Sequence, residues 1–125
     1  MQKNTINWFE IPVVDFERAK NFYQQVFEFE MHEMEIANSR MGFLPYDQPG
    51  GGVGGAIVKG EGYNVNPDGV KIYFDCGEDL NPILDRINQS GGKEIMGKTL
   101  ISDEIGHFAM FIDTEGNHLC LFSTK

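Results

Sequence analysis

The chain has 125 residues, of which 41% are hydrophobic and 23% charged, as expected for one domain with a real core. Its formal net charge of -9 and pI near 4.6 argue against nucleic acid and against anionic membrane surfaces, because both require a basic protein face. No apolar run approaches the roughly 20 residues of a membrane span, and the first ten residues lack the apolar core of a signal peptide. Cys76 and Cys120, without close spacing, indicate buried thiols and a reducing cytoplasm.

The first half of the chain predicts a strand, a helix and three further strands. Residues 6–13 alternate between apolar and polar-tipped side chains, which is typical of a strand with one face on a core. Asp15 is placed to cap a helix that runs to about residue 29. Strands are expected near 31–37, 39–44 and 53–59, with a glycine-rich loop at 47–52. Residues 60–69, which contain Pro67 and three glycines, are predicted to be a linker.

The second half repeats this order. Residues 70–76 alternate again, and Asn81 followed by Pro82 predicts the N-cap of a second helix. Gly91 and Gly92 are placed to end that helix in a left-handed cap. Strands are expected at 93–96, 107–112 and 117–122, with the two halves offset by about 63 residues.

This duplicated order resembles the vicinal oxygen chelate superfamily, which includes glyoxalase I, extradiol dioxygenases and the bleomycin- and fosfomycin-resistance proteins. Val14-Asp15 before the first helix, Phe22-Tyr23 within it and the turn at 113–117 carry the resemblance. It implies an α+β fold, in which one domain over 1–125 contains two tandem β-α-β-β-β modules at about 4–60 and 69–125. The modules would form a half-open curled sheet with the site on its concave face, and the resemblance also implies a homodimer.

The metal-dependent members of the superfamily bind a divalent ion through four side chains, mostly His and Glu, two from each module. Placed on this sequence, those positions carry Trp8, Lys71, Cys120 and a small residue near 54–56. Tryptophan cannot ligate, a lysine ammonium repels a dication, and a lone cysteine suits only a soft metal. We therefore predict no usual metal site and no cofactor, with a metal on atypical ligands as the alternative.

The concave face is nonetheless expected to carry a small-molecule pocket. Strand alternation places on or beside it Trp8, Glu10, Lys71, Tyr73, Asp75, His118, Cys120 and Phe122. The aromatic members would cover an apolar body, and the polar members would orient polar groups. A four-residue turn at 113–116 would also bring His107, Ala109 and Phe111 to this face. Plainer interpretations are a Glu10–Lys71 ion pair, a solvated His118 at the turn edge and a buried Cys120 thiol.

Two functions remain open from the sequence. The first is a module that binds or sequesters a small molecule without a metal. The second is an enzyme of lyase, isomerase or dioxygenase type. It would use Glu10 or His107 as a base, or an atypical metal held by Glu10, His107 and His118.

Overall fold

The computed structural model describes residues 4–125 as two four-stranded sheets and two helices. The elements in chain order are β1 (Trp8–Pro12), α1 (Phe16–Phe27), β2 (Glu33–Ile36), β3 (Ser39–Phe43), β4 (Gly54–Lys59), β5 (Tyr73–Asp75), α2 (Asn81–Gln89), β6 (Lys93–Ser102), β7 (Gly106–Ile112) and β8 (His118–Ser123). Of the helices in the described part of the chain, none is long and apolar enough to cross a membrane.

The two sheets have the same internal topology. The first has the order β1-β4-β3-β2 and the second the order β5-β8-β7-β6. In each, the opening strand pairs in parallel with the last strand of its module, and the other pairs are antiparallel. Neither sheet is closed. The predicted α+β fold with a repeated β-α-β-β-β order is confirmed.

One core lies between the helices and the inward faces of both sheets. The alternation in β1 has the predicted phase, since Ile11 and Val13 are buried while Trp8 is exposed. Each helix contributes a stripe of apolar side chains that recur every three or four residues, as its sequence predicts. The core residues from the two modules are Ile11, Val13, Phe16, Ala19, Phe22, Tyr23, Val26, Ile57, Leu80, Leu84, Ile87, Ala109, Phe111, Leu119 and Leu121. The opposite face of each sheet, which we call the open face, is left for a site.

The boundaries of the second module differ from the predicted ones. The N-cap of α2 is Leu80 rather than Asn81, and the Asp79 carboxylate accepts the Asn81 N–H at 3.0 Å. The strand β6 has 10 residues instead of the expected four, since it stays paired with β7 as far as Ser102, with register shifts along the ladder.

The predicted face of β7 is wrong. Ile112 pairs with His118, so the β7–β8 turn contains five residues rather than four. The extra residue, Asn117, leaves the ladder to donate its side-chain N–H to Pro12 O at 2.8 Å. One added residue reverses every side chain of a strand. Ala109 and Phe111 therefore lie in the core.

The β7–β8 turn holds two buried carboxylates that join the modules. Glu115, whose side chain is 0% exposed, accepts the backbone N–H groups of Val14 and Asp15 at 2.9 and 2.6 Å, and the Arg18 Nε at 2.8 Å. Asp113 accepts the Tyr23 hydroxyl at 2.6 Å. The turn of the second module therefore caps the helix of the first, where unpaired N–H groups and the helix dipole favour negative charge.

Glu115→Gln is expected to lower the free energy of unfolding by about 2–4 kcal/mol at pH 7, because an amide cannot replace a buried carboxylate that accepts several N–H groups. Urea denaturation measures the change. Glu104→Gln, at an exposed turn residue, is the matched control and should have little effect. Equal stabilities of the two variants would contradict the capping role of Glu115.

The effect of Glu115→Gln should also depend on pH. Burial raises the pKa of Glu115, but hydrogen bonds from Arg18, Asp15 N–H, Thr114 and Val14 N–H outweigh it and the net pKa is lowered. A carboxylate with a lowered folded pKa stabilises the fold above its unfolded pKa, and that contribution is lost as the pH falls through the folded pKa. The difference between wild type and variant should thus shrink below about pH 4. A difference in the free energy of unfolding that does not change with pH would contradict the lowered pKa of Glu115.

Candidate functional site

A cleft of about 1150 Å³ runs between β1 and the edge formed by β5 and β8. The loop after β3 and the linker between the modules complete its walls. Six of the side chains predicted for the concave face line it: Trp8, Glu10, Lys71, Tyr73, Asp75 and His118. Its size is that of a pocket for a small organic molecule.

The first-module side of the cleft is built around Trp8 and Glu10. Trp8 is 38% exposed and packs against Phe43 with ring centroids 6.0 Å apart. Its indole N–H donates to Glu10 Oε2 at 3.4 Å, and the Tyr63 hydroxyl donates to Glu10 Oε1 at 2.8 Å. Both carboxylate oxygens are therefore engaged, and the acceptor Glu10 raises the pKa of Tyr63.

The expected Glu10–Lys71 ion pair is wrong. Lys71 Nζ donates instead to Pro67 O at 2.9 Å within the linker, which places the lysine on the opposite wall of the cleft. Glu10 is satisfied by two aromatic side chains rather than by a cation. Together, Lys71 and His118 offer donors to the cleft while Glu10 and Asp75 offer acceptors.

Cys120 lies beneath Tyr73 rather than at the cleft surface. The two residues are opposite each other on β8 and β5, Tyr73 is 54% exposed and Cys120 is 0% exposed. Burial raises the pKa of the Cys120 thiol, although the hydrogen bond with Tyr73 and the charge of Lys71 act in the other direction. Phe122, two residues further along β8, is partly buried and lies outside the cleft lining.

His107 also lies away from the cleft. It is opposite Ser123 at the start of β7, on the side of that strand that continues into buried Ala109 and Phe111. Its Nδ1 is buried without a hydrogen-bond partner among the described residues. A catalytic role for His107 stays a prediction, and the structure does not bring it together with Glu10 in this cleft.

Two aromatic residues of the site had no periodic signal in the sequence. Tyr46 follows β3 in the loop, and Tyr63 lies in the linker. A methyl group at Gly54 would come within 2.7 Å of Tyr46 Cε1 and 3.0 Å of Trp8 Cζ3, so the two rings lie against that glycine. The only feature of the sequence that points to Tyr46 and Tyr63 is that each lies beside a glycine-rich segment.

The positions that the superfamily uses for a metal do not form a donor set here. Trp8 pairs with Gly54 across β1 and β4, and Tyr73 pairs with Cys120 across β5 and β8. Lys71 is already a donor to a carbonyl. Over residues 4–125, no three His, Cys, Asp or Glu side chains come close enough together to hold a metal ion. These residues therefore do not fit the usual divalent ion.

Comparisons with known proteins agree with this fold. A family described as bleomycin resistance protein-like N-terminal matches residues 5–39. A glyoxylase-like domain-containing protein of Didymella fabae is 28% identical over 115 residues, which are 90% of this chain and 88% of that protein.

Solved structures extend the similarity to the whole chain. TnmS3, an antibiotic binding protein from Streptomyces sp. CB03234, superposes with a TM-score of 0.74 at 20% identity, covering 100% of this chain and 99% of that one. A glyoxalase/bleomycin resistance protein from Albidiferax ferrireducens T118 gives a TM-score of 0.65 at 15% identity, covering 96% and 98%. Glyoxalase I from Zea mays gives 0.72 at 14% identity, covering 94% of this chain and 44% of that one.

The repeated modules, the capped α1 and the matched proteins define the class as a glyoxalase/bleomycin-resistance fold. The chain is similar to members of the vicinal oxygen chelate superfamily, in agreement with the resemblance that its sequence motifs carry.

Both cysteines are expected to react slowly with Ellman's reagent in the folded protein. Burial raises the pKa of Cys76 to about 11 and also raises that of Cys120. Since the thiolate is the reactive form, we expect modification at pH 7 to be at least about tenfold slower in the native chain than in urea. Cys76→Ser isolates Cys120. Fast native reaction of that variant would contradict the placement of Cys120 beneath Tyr73.

Proposed function

We propose that the chain binds a small aromatic molecule in the cleft between β1 and β5, without a metal ion. The observation that carries this proposal is the lining of the cleft. Exposed Trp8 and Tyr73 lie on its two walls, where the metal-dependent members of the superfamily would present ligands or their neighbours. Exposure of aromatic rings to water on a concave surface is unfavourable in free energy. Binding of an apolar ligand removes the rings from water and recovers that free energy.

The polar groups of the cleft suit orientation of a ligand. Lys71 and His118 can donate to carbonyl or anionic groups, and Glu10 and Asp75 can accept from hydroxyl or amine groups. TnmS3, an antibiotic binding protein, has the same fold, which supports a ligand of comparable kind for this chain. Capture of such a molecule requires affinity and no chemical step.

The alternative enzyme would need Glu10 or His107 to act as a base. Both oxygens of Glu10 accept hydrogen bonds from aromatic donors, and His107 lies at the far end of β7. A base must reach the proton that it removes from a bound substrate. Binding therefore has the stronger support. The two unpaired thiols, Cys76 and Cys120, also support a reducing compartment such as the cytoplasm.

A panel of fused-ring aromatic compounds tests the binding function. Trp8 is the single tryptophan, so its fluorescence reports binding in the cleft. We expect saturable quenching by at least one compound, unchanged by a chelator, and about tenfold weaker affinity in Tyr73→Ala because a stacked ring contributes roughly this much. Ile105→Ala is the matched control, since Ile105 is 56% exposed and lies outside the cleft lining.

Two results would overturn the binding proposal. One is stoichiometric nickel, zinc or iron that survives dialysis of the purified protein and is required for binding. The other is conversion of the bound compound to a product at a rate that Glu10→Gln abolishes.

We also propose the homodimer that the resemblance implies. The edge strands β2 and β6 expose Met34, Ile36, Leu100 and Ile101, and unpaired apolar strand edges favour association. Sedimentation equilibrium should give twice the chain mass of 14.1 kDa. Leu100→Lys should shift the protein towards the monomer. A wild-type mass of one chain at micromolar concentration would contradict the dimer.

A further inference from the structure

The linker between the modules places an aromatic ring on the open face of the first sheet. Tyr63 packs there against a small apolar cluster that is separate from the main core. We call this cluster the first-sheet subsite; its members are Met41, Phe43, Ala56 and Val58. Ala56 and Val58 are 0% exposed, and the partly buried Tyr63 ring is one of the side chains that pack on them.

One polar contact fixes the end of that ring. The Tyr63 hydroxyl donates to Glu10 Oε1 at 2.8 Å, and Glu10 Oε2 accepts the Trp8 indole N–H. Glu10 and Trp8 also line the cleft, so the subsite and the cleft share one wall. The Tyr63 side chain thus makes the contacts that an aryl hydroxyl compound would make: an apolar ring on the sheet and a hydroxyl on a carboxylate.

The backbone around Tyr63 is not part of either sheet. Tyr63 lies in a turn closed by its own N–H on Gly60 O at 3.2 Å, and Gly62 has φ +86° with open space around its Cα. Glu61 and Gly62 are exposed, whereas the strands on either side of the linker are held by sheet pairing. Movement of Tyr63 therefore requires loss of its side-chain contacts but no break in a strand.

We propose that the first-sheet subsite receives an aryl hydroxyl group of the ligand, and that Tyr63 occupies this subsite when no ligand is bound. The inference rests on the proposed binding function and specifies the class of its ligand. A neutral hydroxyl is required because the acceptor is a carboxylate, and an aryl carboxylate would meet a like charge at Glu10. The raised pKa of Tyr63 agrees with a site that keeps a phenol protonated.

The first test removes the tethered ring and supplies its equivalent in solution. Tyr63→Ala is titrated with p-cresol, the analogue of the tyrosine side chain, and binding is followed by the fluorescence of Trp8. We expect Tyr63→Ala to bind p-cresol at least about tenfold more tightly than the wild type, because the vacated apolar space and the Glu10 acceptor are both free. Equal affinity of the two proteins would overturn the proposal.

Matched variants and probes separate the ring from the hydroxyl. Tyr63→Phe keeps the subsite filled, so its affinity for p-cresol should remain within about threefold of wild type. In Tyr63→Ala, p-cresol should bind about tenfold more tightly than toluene or p-toluate, and adding Glu10→Gln should remove most of the preference over p-toluate. Indifference of Tyr63→Ala to the three probes would overturn the assignment of Glu10 as the acceptor.

A second measurement uses the wild type and decides the question even if Tyr63→Ala does not fold. A glutamate-specific protease can cut after Glu61, two residues before Tyr63. Displacement of Tyr63 should raise the rate of this cut severalfold in excess p-cresol but not in excess p-toluate. Unchanged or slower cleavage in p-cresol would show that Tyr63 is a fixed wall, and would overturn the proposal.

These results are separable from the proposed function. If compounds from the aromatic panel quench Trp8 and depend on Tyr73 while the Tyr63 series shows no gain, only the subsite assignment fails. If Tyr63→Ala takes up p-cresol selectively while no panel compound binds the wild type with dependence on Tyr73, the subsite stands and the cleft function fails.

Discussion

The fold depends on two buried carboxylates. Glu115 and Asp113 lie in the β7–β8 turn of the second module and accept hydrogen bonds from the α1 N-terminus and from Tyr23 of the first. A buried carboxylate is tolerated only when its oxygens are satisfied, so this turn and α1 have one compatible arrangement. Asn117 adds a bond to Pro12 O. The end of β1 is thereby held beside the start of β8, and the cleft opens between them.

The same scaffold carries different side chains from those expected in the metal-dependent members of the superfamily that the sequence resembles. Where those proteins would present His and Glu side chains, this chain has Trp8, Lys71, buried Cys120 and the small residues of β4. The small residues allow Tyr46, Trp8 and Tyr63 to pack closely on the sheet. The fold therefore determines where a site lies, while the side chains of the site determine what it can bind.

Much of the fold could be predicted because it depends on local patterns in the sequence. The alternation in β1, the Asp15 cap and the stripe of α1 depend on neighbouring residues alone, and each was predicted correctly. The face of β7 was not, since it depends on whether Asn117 belongs to the turn or to β8. That choice follows from a hydrogen bond to a residue about a hundred positions earlier, which no local pattern contains.

The candidate site, like the fold, could be predicted from the sequence only in part. The sequence by itself determined which strand residues share the open face, because side chains alternate along a strand, and so placed Trp8, Glu10, Lys71 and Tyr73 in one cleft. Only the tertiary structure decided the partners of those residues. Tyr63 reaches Glu10 from a linker without periodicity, and Lys71 turns to a linker carbonyl instead. Such contacts arise when distant segments fold together, since an irregular segment has no repeat from which its direction can be read.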